Sequence, residues 1–185
     1  MAQPVGEGVK YTQEHAKKVT DIHEHLITLH GLVTSMGAKT VIELGVNTGE
    51  STVALLEAVE VTQGHLYSVD IQLLPATKAM LERYGLTGRW TFTLQDDLEY
   101  IKTWPADKKA DMIFIDTSHT FDHTTKEIAA YEPILRPGGT MAFHDTMSFY
   151  EGVQKPIKAF LKAHKDWSYE NKANCNGLGI LRKPA

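Results

Sequence analysis

The sequence predicts an α/β protein: a doubly wound, Rossmann-like sheet of seven mostly parallel strands, closed by a C-terminal antiparallel hairpin and preceded by a helix. Three observations predict it. Five short apolar, β-branched runs alternate with segments of helical periodicity, the pattern of successive strand–helix–strand units. Acidic residues recur where those runs stop, at Asp70, Asp96, Asp116 and Asp145. Two further runs near the C-terminus are joined by a short turn-like segment and should pair antiparallel.

The elements follow in order. Val19, Ile22, Leu26, Leu29 and Val33 keep 3-4-3-4 spacing, which gives a helix one apolar face, and Gly37 stops it. Residues 39–46 read as the first strand, 51–60 as a helix and 65–71 as the second strand. Residues 75–85 form a helix opened by Pro75 and closed by Gly85. A third strand spans 90–95, a short helix 97–104 and a fourth strand 110–116. Residues 124–136 are helical, with Pro133 ending the regular part. A fifth strand covers 139–145, a last helix 153–164, and the hairpin strands 167–171 and 177–183. No repeat or linker interrupts the chain. It reads as one domain over 1–185, with an N-terminal helical segment to residue 37 and the core from residue 38.

Composition excludes several functions. Cys175 is the only cysteine, so an internal disulfide framework and a cysteine-built zinc site are both out. A net charge of -4 leaves no basic footprint for nucleic acid. No stretch approaches the roughly 20 apolar residues of a membrane span. The opening "MAQPVGEGVKYTQEHAKK" has no apolar signal core, so a cytoplasmic location is expected.

In doubly wound sheets ligands sit at the carboxyl ends of the strands. After the first strand, Gly45, Asn47, Thr48 and Gly49 form a tight turn, and a helix begins near Ser51. Glu43 stands two residues before Gly45, where a carboxylate could bind a cation or hydroxyls. Asp70, followed by Ile71, ends the second strand and is placed to accept both hydroxyls of a ribose. Asp96 or Asp97 ends the third and could receive an exocyclic amine. Each could be merely structural. In sequence on three strands they point to a nucleoside-bearing ligand. The spacing Gly45-x-x-x-Gly49 departs from the dinucleotide fingerprint, and Glu43 would repel a pyrophosphate but suit a cationic ligand.

The fourth strand ends at Asp116, with His119 three residues on, and the fifth ends in His144 and Asp145. On neighbouring strands these side chains should converge. Acids and imidazoles in one pocket are costly unless paired, and a divalent cation resolves them. Carboxylates alone suit magnesium, whereas an imidazole ligand favours manganese, iron or zinc. The bland readings are a surface-loop His119 and a packed His144. His15, His23, His25, His30, His65, His123 and His164 show no convergent partners and read as mainly solvated.

"VIELGVNTGEST" followed by "LYSVDI" resembles the first two motifs of class I S-adenosylmethionine-dependent methyltransferases. The resemblance implies that Glu43 lies near the methionine amino group, the Gly45–Gly49 turn beneath the methionine and ribose, Asp70 on the ribose and Asp96 with its neighbours by the adenine. "FIDTSHTFDHTTKEIAAYEPILRPGGTMAFHDT" resembles the bacterial group that includes the cephalosporin hydroxylase-named proteins and the macrolide sugar O-methyltransferases. That likeness implies Asp116 and Asp145 as metal ligands and His119 as the base that takes the acceptor proton. At His144 the sugar enzymes have an acid. Catechol-type O-methyltransferases have a comparable layout.

The resulting expectation is a metal-assisted O-methyltransferase whose acceptor is a hydroxyl of a small molecule, a sugar or a natural-product diol or phenol. Two other readings are a non-haem iron oxygenase built on His119, His144 and Asp145, and a non-catalytic S-adenosylmethionine-binding protein. Phe149 and Tyr150 are expected near the acceptor. The first helix could pack on its own sheet, cover the site or form a homodimer seam.

Overall fold

The strand β1 (Thr40–Leu44) lies at the centre of the sheet, which explains why its run is apolar on both sides: Val41, Ile42 and Leu44 have no solvent exposure. The computed structural model describes residues 8–185, and the first seven residues of the predicted N-terminal segment lie outside that range. Around β1 stand β2 (His65–Asp70), β3 (Trp90–Leu94), β4 (Ala110–Ile115), β5 (Leu135–His144), β6 (Ser168–Lys172) and β7 (Leu178–Arg182). Their order is β3-β2-β1-β4-β5-β7-β6. The first five run parallel, and β7 runs antiparallel between β5 and β6. The predicted seven-stranded sheet and its closing hairpin are therefore observed. The order reverses between β1 and β4, so the loops leaving those two strands diverge and open a crevice at their carboxyl ends.

Helices cover both faces: α1 (Lys10–His15), α2 (Leu26–Ser35), α3 (Glu50–Thr62), α4 (Pro75–Tyr84), α5 (Asp97–Tyr100), α6 (Phe121–Tyr131) and α7 (Lys155–Ala163). Alternation along each strand makes two cores. Val41, Leu66, Met112 and Phe114 pack with Leu55, Leu56 and Val59 of α3 and with Leu26, Leu29 and Val33 of α2. Ile42, Leu44, Ile113 and Ile115 pack on the other face with Ile128 and Tyr131 of α6 and Ile157 of α7. None of the described helices is long and apolar enough to cross a membrane.

The predicted first helix is shorter than its spacing implied. Ile22, Leu26, Leu29 and Val33 are buried, but Val19 is 91% exposed and the regular helix begins at Leu26. Its stripe packs against α3 and the sheet. Ahead of it lies α1, which the pattern missed. Its free N–H groups are capped from a distance: Tyr11 N and Thr12 N donate to buried Glu57 at 2.9 and 2.7 Å. The helix predicted from 124 begins three residues earlier, at Phe121, and gives way at Glu132-Pro133-Ile134 to a tighter turn, as Pro133 required. A single wide π turn, Tyr150–Gln154, precedes α7.

Candidate active site at the strand ends

A cavity of about 440 Å³ opens where the strand order reverses. Gly45 and Asn47 after β1, Asp70, Ile71 and Gln72 after β2, Gln95, Asp96 and Asp97 after β3, and Asp116 after β4 all line it. Gly45 permits the close approach behind it: its φ is +88°, and a Cβ there would lie 2.0 Å from the Asp116 carbonyl oxygen. Asp70 holds the turn in place. Its Oδ2 accepts from Val46 N at 2.7 Å and Asn47 N at 3.1 Å, and its Oδ1 from Gln72 N at 3.0 Å. Asp96 has a structural task as well as a place on the wall, because its Oδ1 caps α5 through Leu98 N and Glu99 N at 2.9 and 3.1 Å.

Glu43, Thr48, Gly49 and Ser51 do not line this cavity. Glu43 is turned inward because it shares a strand face with Val41, beneath α3, and has no exposure. Three hydroxyls converge on its carboxylate: Ser51 at 2.7 Å, Ser68 at 2.6 Å and Thr52 at 3.0 Å. Burial pushes its pKa up to about 7 against those three bonds. The geometry makes Glu43 a pin that joins β1, β2 and the first turn of α3. Gly49 caps the same helix in a left-handed conformation, φ +84°.

Beside the cavity, β4 and β5 bring the predicted acid–imidazole group together. Asp116, His144 and Asp145 each offer a donor atom, all within 4.8 Å of one another. Asp145 takes a left-handed φ of +61°, a region aspartate enters more readily than most residues, and this turns the chain at the end of β5. His119 Nε2 lies 2.9 Å from Asp145 Oδ2 and 3.6 Å from Asp116 Oδ1. His144 Nδ1 lies 3.5 Å from both Asp116 Oδ2 and Asp145 Oδ2. Close as they are, His119 Nε2, His144 Nδ1 and Asp145 Oδ1 are buried without an aligned hydrogen bond.

Electrostatics follow from that crowding. The Asp116 and Asp145 carboxylates push His119 up to about 9. Burial opposes charge on His144, but the same two carboxylates outweigh it and push it up to about 10. Burial would raise both acids, yet the imidazoles hold Asp116 and Asp145 below the ordinary carboxylate value.

The residues fit a metal ion. His144 Nε2 lies 3.2 Å from the backbone carbonyls of Asp21 and Cys175. An N–H directed at those carbonyls leaves Nδ1 as the lone pair facing the two acids, the usual arrangement of a ligating histidine. Asp21 belongs to the segment before α2, so the chain ahead of that helix meets His144 through a backbone carbonyl.

On the far side of this group a more open recess of about 430 Å³ is lined by His119, Thr120, Phe121, Glu151, Gly152 and Lys155. Phe149 stacks on the His119 ring, with centroids 4.1 Å apart. Gly152 is what lets the π turn approach: a Cβ there would lie 1.9 Å from the His119 carbonyl oxygen. Phe149 and Tyr150 are both partly exposed beside this recess.

Several histidines are better partnered than the sequence implied. His15 is buried, with Nδ1 2.7 Å from Glu50 Oε2 and Nε2 3.1 Å from Tyr84 Oη, which ties α1 to α3 and α4. His25 is buried with Nε2 2.8 Å from the Asn174 carbonyl. His123 meets Asp97 and Glu127. Sequence reasoning missed these because all but one of the partners, Glu127, lie on other elements.

Residues 42–146, more than half of the chain, match a family described as a methyltransferase domain. Solved structures share the fold at low identity. A caffeoyl-CoA O-methyltransferase candidate from Staphylococcus aureus superposes with a TM-score of 0.74 at 17% identity, covering 98% of this chain and 93% of that one. The O-methyltransferase TomG from Streptomyces achromogenes, involved in tomaymycin synthesis and solved with SAM, gives 0.73 at 16%, covering 100% and 92%. An O-methyltransferase from Bacillus cereus, solved with SAH, gives 0.70 at 15%, covering 97% and 92%. No curated protein sequence matches the chain.

Proposed function

This chain belongs to a family of methyltransferase domains, and we propose that it moves the methyl group of S-adenosylmethionine to a hydroxyl of a small molecule with the help of a divalent cation. The observation that carries the reading is the meeting of two spaces at one group. Asp116 lines the 440 Å³ cavity, His119 lines the open recess, and the two side chains are 3.6 Å apart. A donor in the first space and an acceptor in the second would face each other across them. Solved relatives of the same fold that hold SAM or SAH support the donor.

The roles follow from the chemistry. Asp70, Ile71 and Asp96 would hold the nucleoside end of the donor, with Asn47 and Gly45 under its other end. Asp116, His144 and Asp145 would hold the cation, which when bound lowers the pKa of the acceptor hydroxyl and fixes its position. His119 Nε2 takes the hydroxyl proton as the oxygen forms its bond to the methyl carbon and the carbon–sulfur bond breaks. The sulfonium leaves as a neutral thioether, so no acid is needed for the leaving group. Asp116 and Asp145 raise the hold of the His119 ring on its proton, and directing their charge to a cation would let the ring accept the acceptor proton more readily near neutral pH. Phe149 against the His119 ring supports a flat or ring-shaped acceptor, a sugar or phenol carrying adjacent hydroxyls. An iron oxygenase and a non-catalytic binder are not favoured: neither accounts for a cavity and a recess lying on either side of Asp116 and His119 in a chain of this family.

Calorimetric titration with S-adenosylhomocysteine tests the donor half. Wild type binds it, and Asp70→Ala weakens it by about 10- to 100-fold, since the substitution removes a ribose partner and frees the three backbone amides that shape the turn. Absence of binding by the wild type would remove the donor assignment.

A further inference from the structure

A second acid–imidazole group stands beside the donor cavity, separate from Asp116, His144 and Asp145. His123 and Glu127 lie four residues apart on α6 and so share a face. Asp97, in the first turn of α5, faces them. His123 Nε2 is 3.1 Å from Asp97 Oδ1 and 3.7 Å from Glu127 Oε1, and one donor atom from each of the three residues lies within 4.8 Å of the others.

Hydrogen bonds do not satisfy this group. Thr117 Oγ1 donates to Glu127 Oε1 at 2.5 Å, and His123 can serve one oxygen of Asp97. Asp97 Oδ2 and Glu127 Oε2 are left buried without a partner. Glu127 has no exposure and Asp97 only 7%. A buried carboxylate oxygen without a donor is costly, and this group holds two of them beside a single imidazole. Burial resists a charge on Glu127 and pushes its pKa up to about 9. Ligand bonds of roughly 2.0–2.2 Å separate neighbouring donors by about 3.0–3.6 Å, close to the spacings seen here.

We propose that Asp97, His123 and Glu127 bind a divalent transition metal ion at a second site. The mixed nitrogen and oxygen donors favour zinc, cobalt or manganese over magnesium, which prefers oxygen and water. Asp97 and His123 also line the 440 Å³ cavity, so a further coordination position faces the ligand space. This gives Asp97 a task other than contact with an exocyclic amine. The site does not require the methyl-transfer reading. The competing occupant is a proton on Glu127.

Equilibrium dialysis of the metal-stripped full chain against Co²⁺ separates the two. His123→Asn and Glu127→Gln are compared with their parent, in the wild type and in an Asp145→Asn background, with circular dichroism melts to establish folding. Each substitution should bind one Co²⁺ fewer per chain than its parent in both backgrounds, and the visible absorption of the bound ion should fall with it. Equal Co²⁺ stoichiometry in parent and substituted chains overturns the proposal and leaves the proton as occupant. His123 is partly exposed, so His123→Asn alone decides the matter if Glu127→Gln does not fold. Any loss caused by Asp145→Asn itself reports on the other site, so the two can fail independently.

Discussion

Asp145→Asn is expected to lower turnover of a vicinal-diol acceptor by at least ~100-fold while leaving affinity for S-adenosylhomocysteine within about threefold of wild type. The two effects separate because Asp145 touches the chemistry but not the donor cavity. Its carboxylate lies 2.9 Å from His119 and 3.5 Å from His144, and Oδ1 is buried without a hydrogen-bond partner. Asparagine keeps the shape and can adopt the left-handed backbone found at this position. What it loses is the charge that opposes a cation and orders the imidazoles. Steady-state rates beside calorimetric titration check this. Full activity would take Asp145 out of the machinery, and parallel loss of donor binding would mean that the fold rather than the site had been damaged.

His119→Gln should cost about 10²- to 10⁴-fold in kcat, the usual contribution of a positioned base. The sharper readout is the pH profile. A base works only when deprotonated, so the wild-type rate rises with pH until His119 has lost its proton. The carboxylates alone hold that ring at about 9. Any cation drawing on Asp116 and Asp145 moves the rising limb to lower pH, toward the ordinary imidazole value. In His119→Gln the rising limb should vanish, leaving a slow, flatter profile. An unchanged limb would assign the proton to another group. Glutamine retains much of the face that stacks on Phe149 at 4.1 Å, which limits packing loss.

The strand ends were legible because they combine two strong local signals, an apolar run and the acid that stops it. Asp70, Asp96, Asp97 and Asp116 are found on the cavity wall for that reason, and Asp145 beside them. Spacing alone does not say which face of a strand Glu43 takes. Period-two alternation puts it with Val41, and the hydroxyls that meet it come from Ser51, Thr52 and Ser68 on other elements. The group formed by Asp97, His123 and Glu127 was invisible for a similar reason. Its members come from two helices, and starting α6 at residue 124 left His123 in a loop, whereas the helix begins at Phe121. Helix α1 escaped because the carboxylate capping it, Glu57, lies 45 residues from Thr12. Val19 matched the helical spacing by coincidence: the chain there is not helical, and Val19 is 91% exposed.

The most direct test of metal-assisted O-methylation is release of S-adenosylhomocysteine from S-adenosylmethionine with acceptors bearing adjacent hydroxyls, sugars and catechols together. The chain is first stripped with a chelator and then given back magnesium, manganese or zinc. The proposed function predicts turnover that falls at least ~100-fold on stripping and returns with one of these ions. Turnover that is undiminished in excess chelator would contradict it.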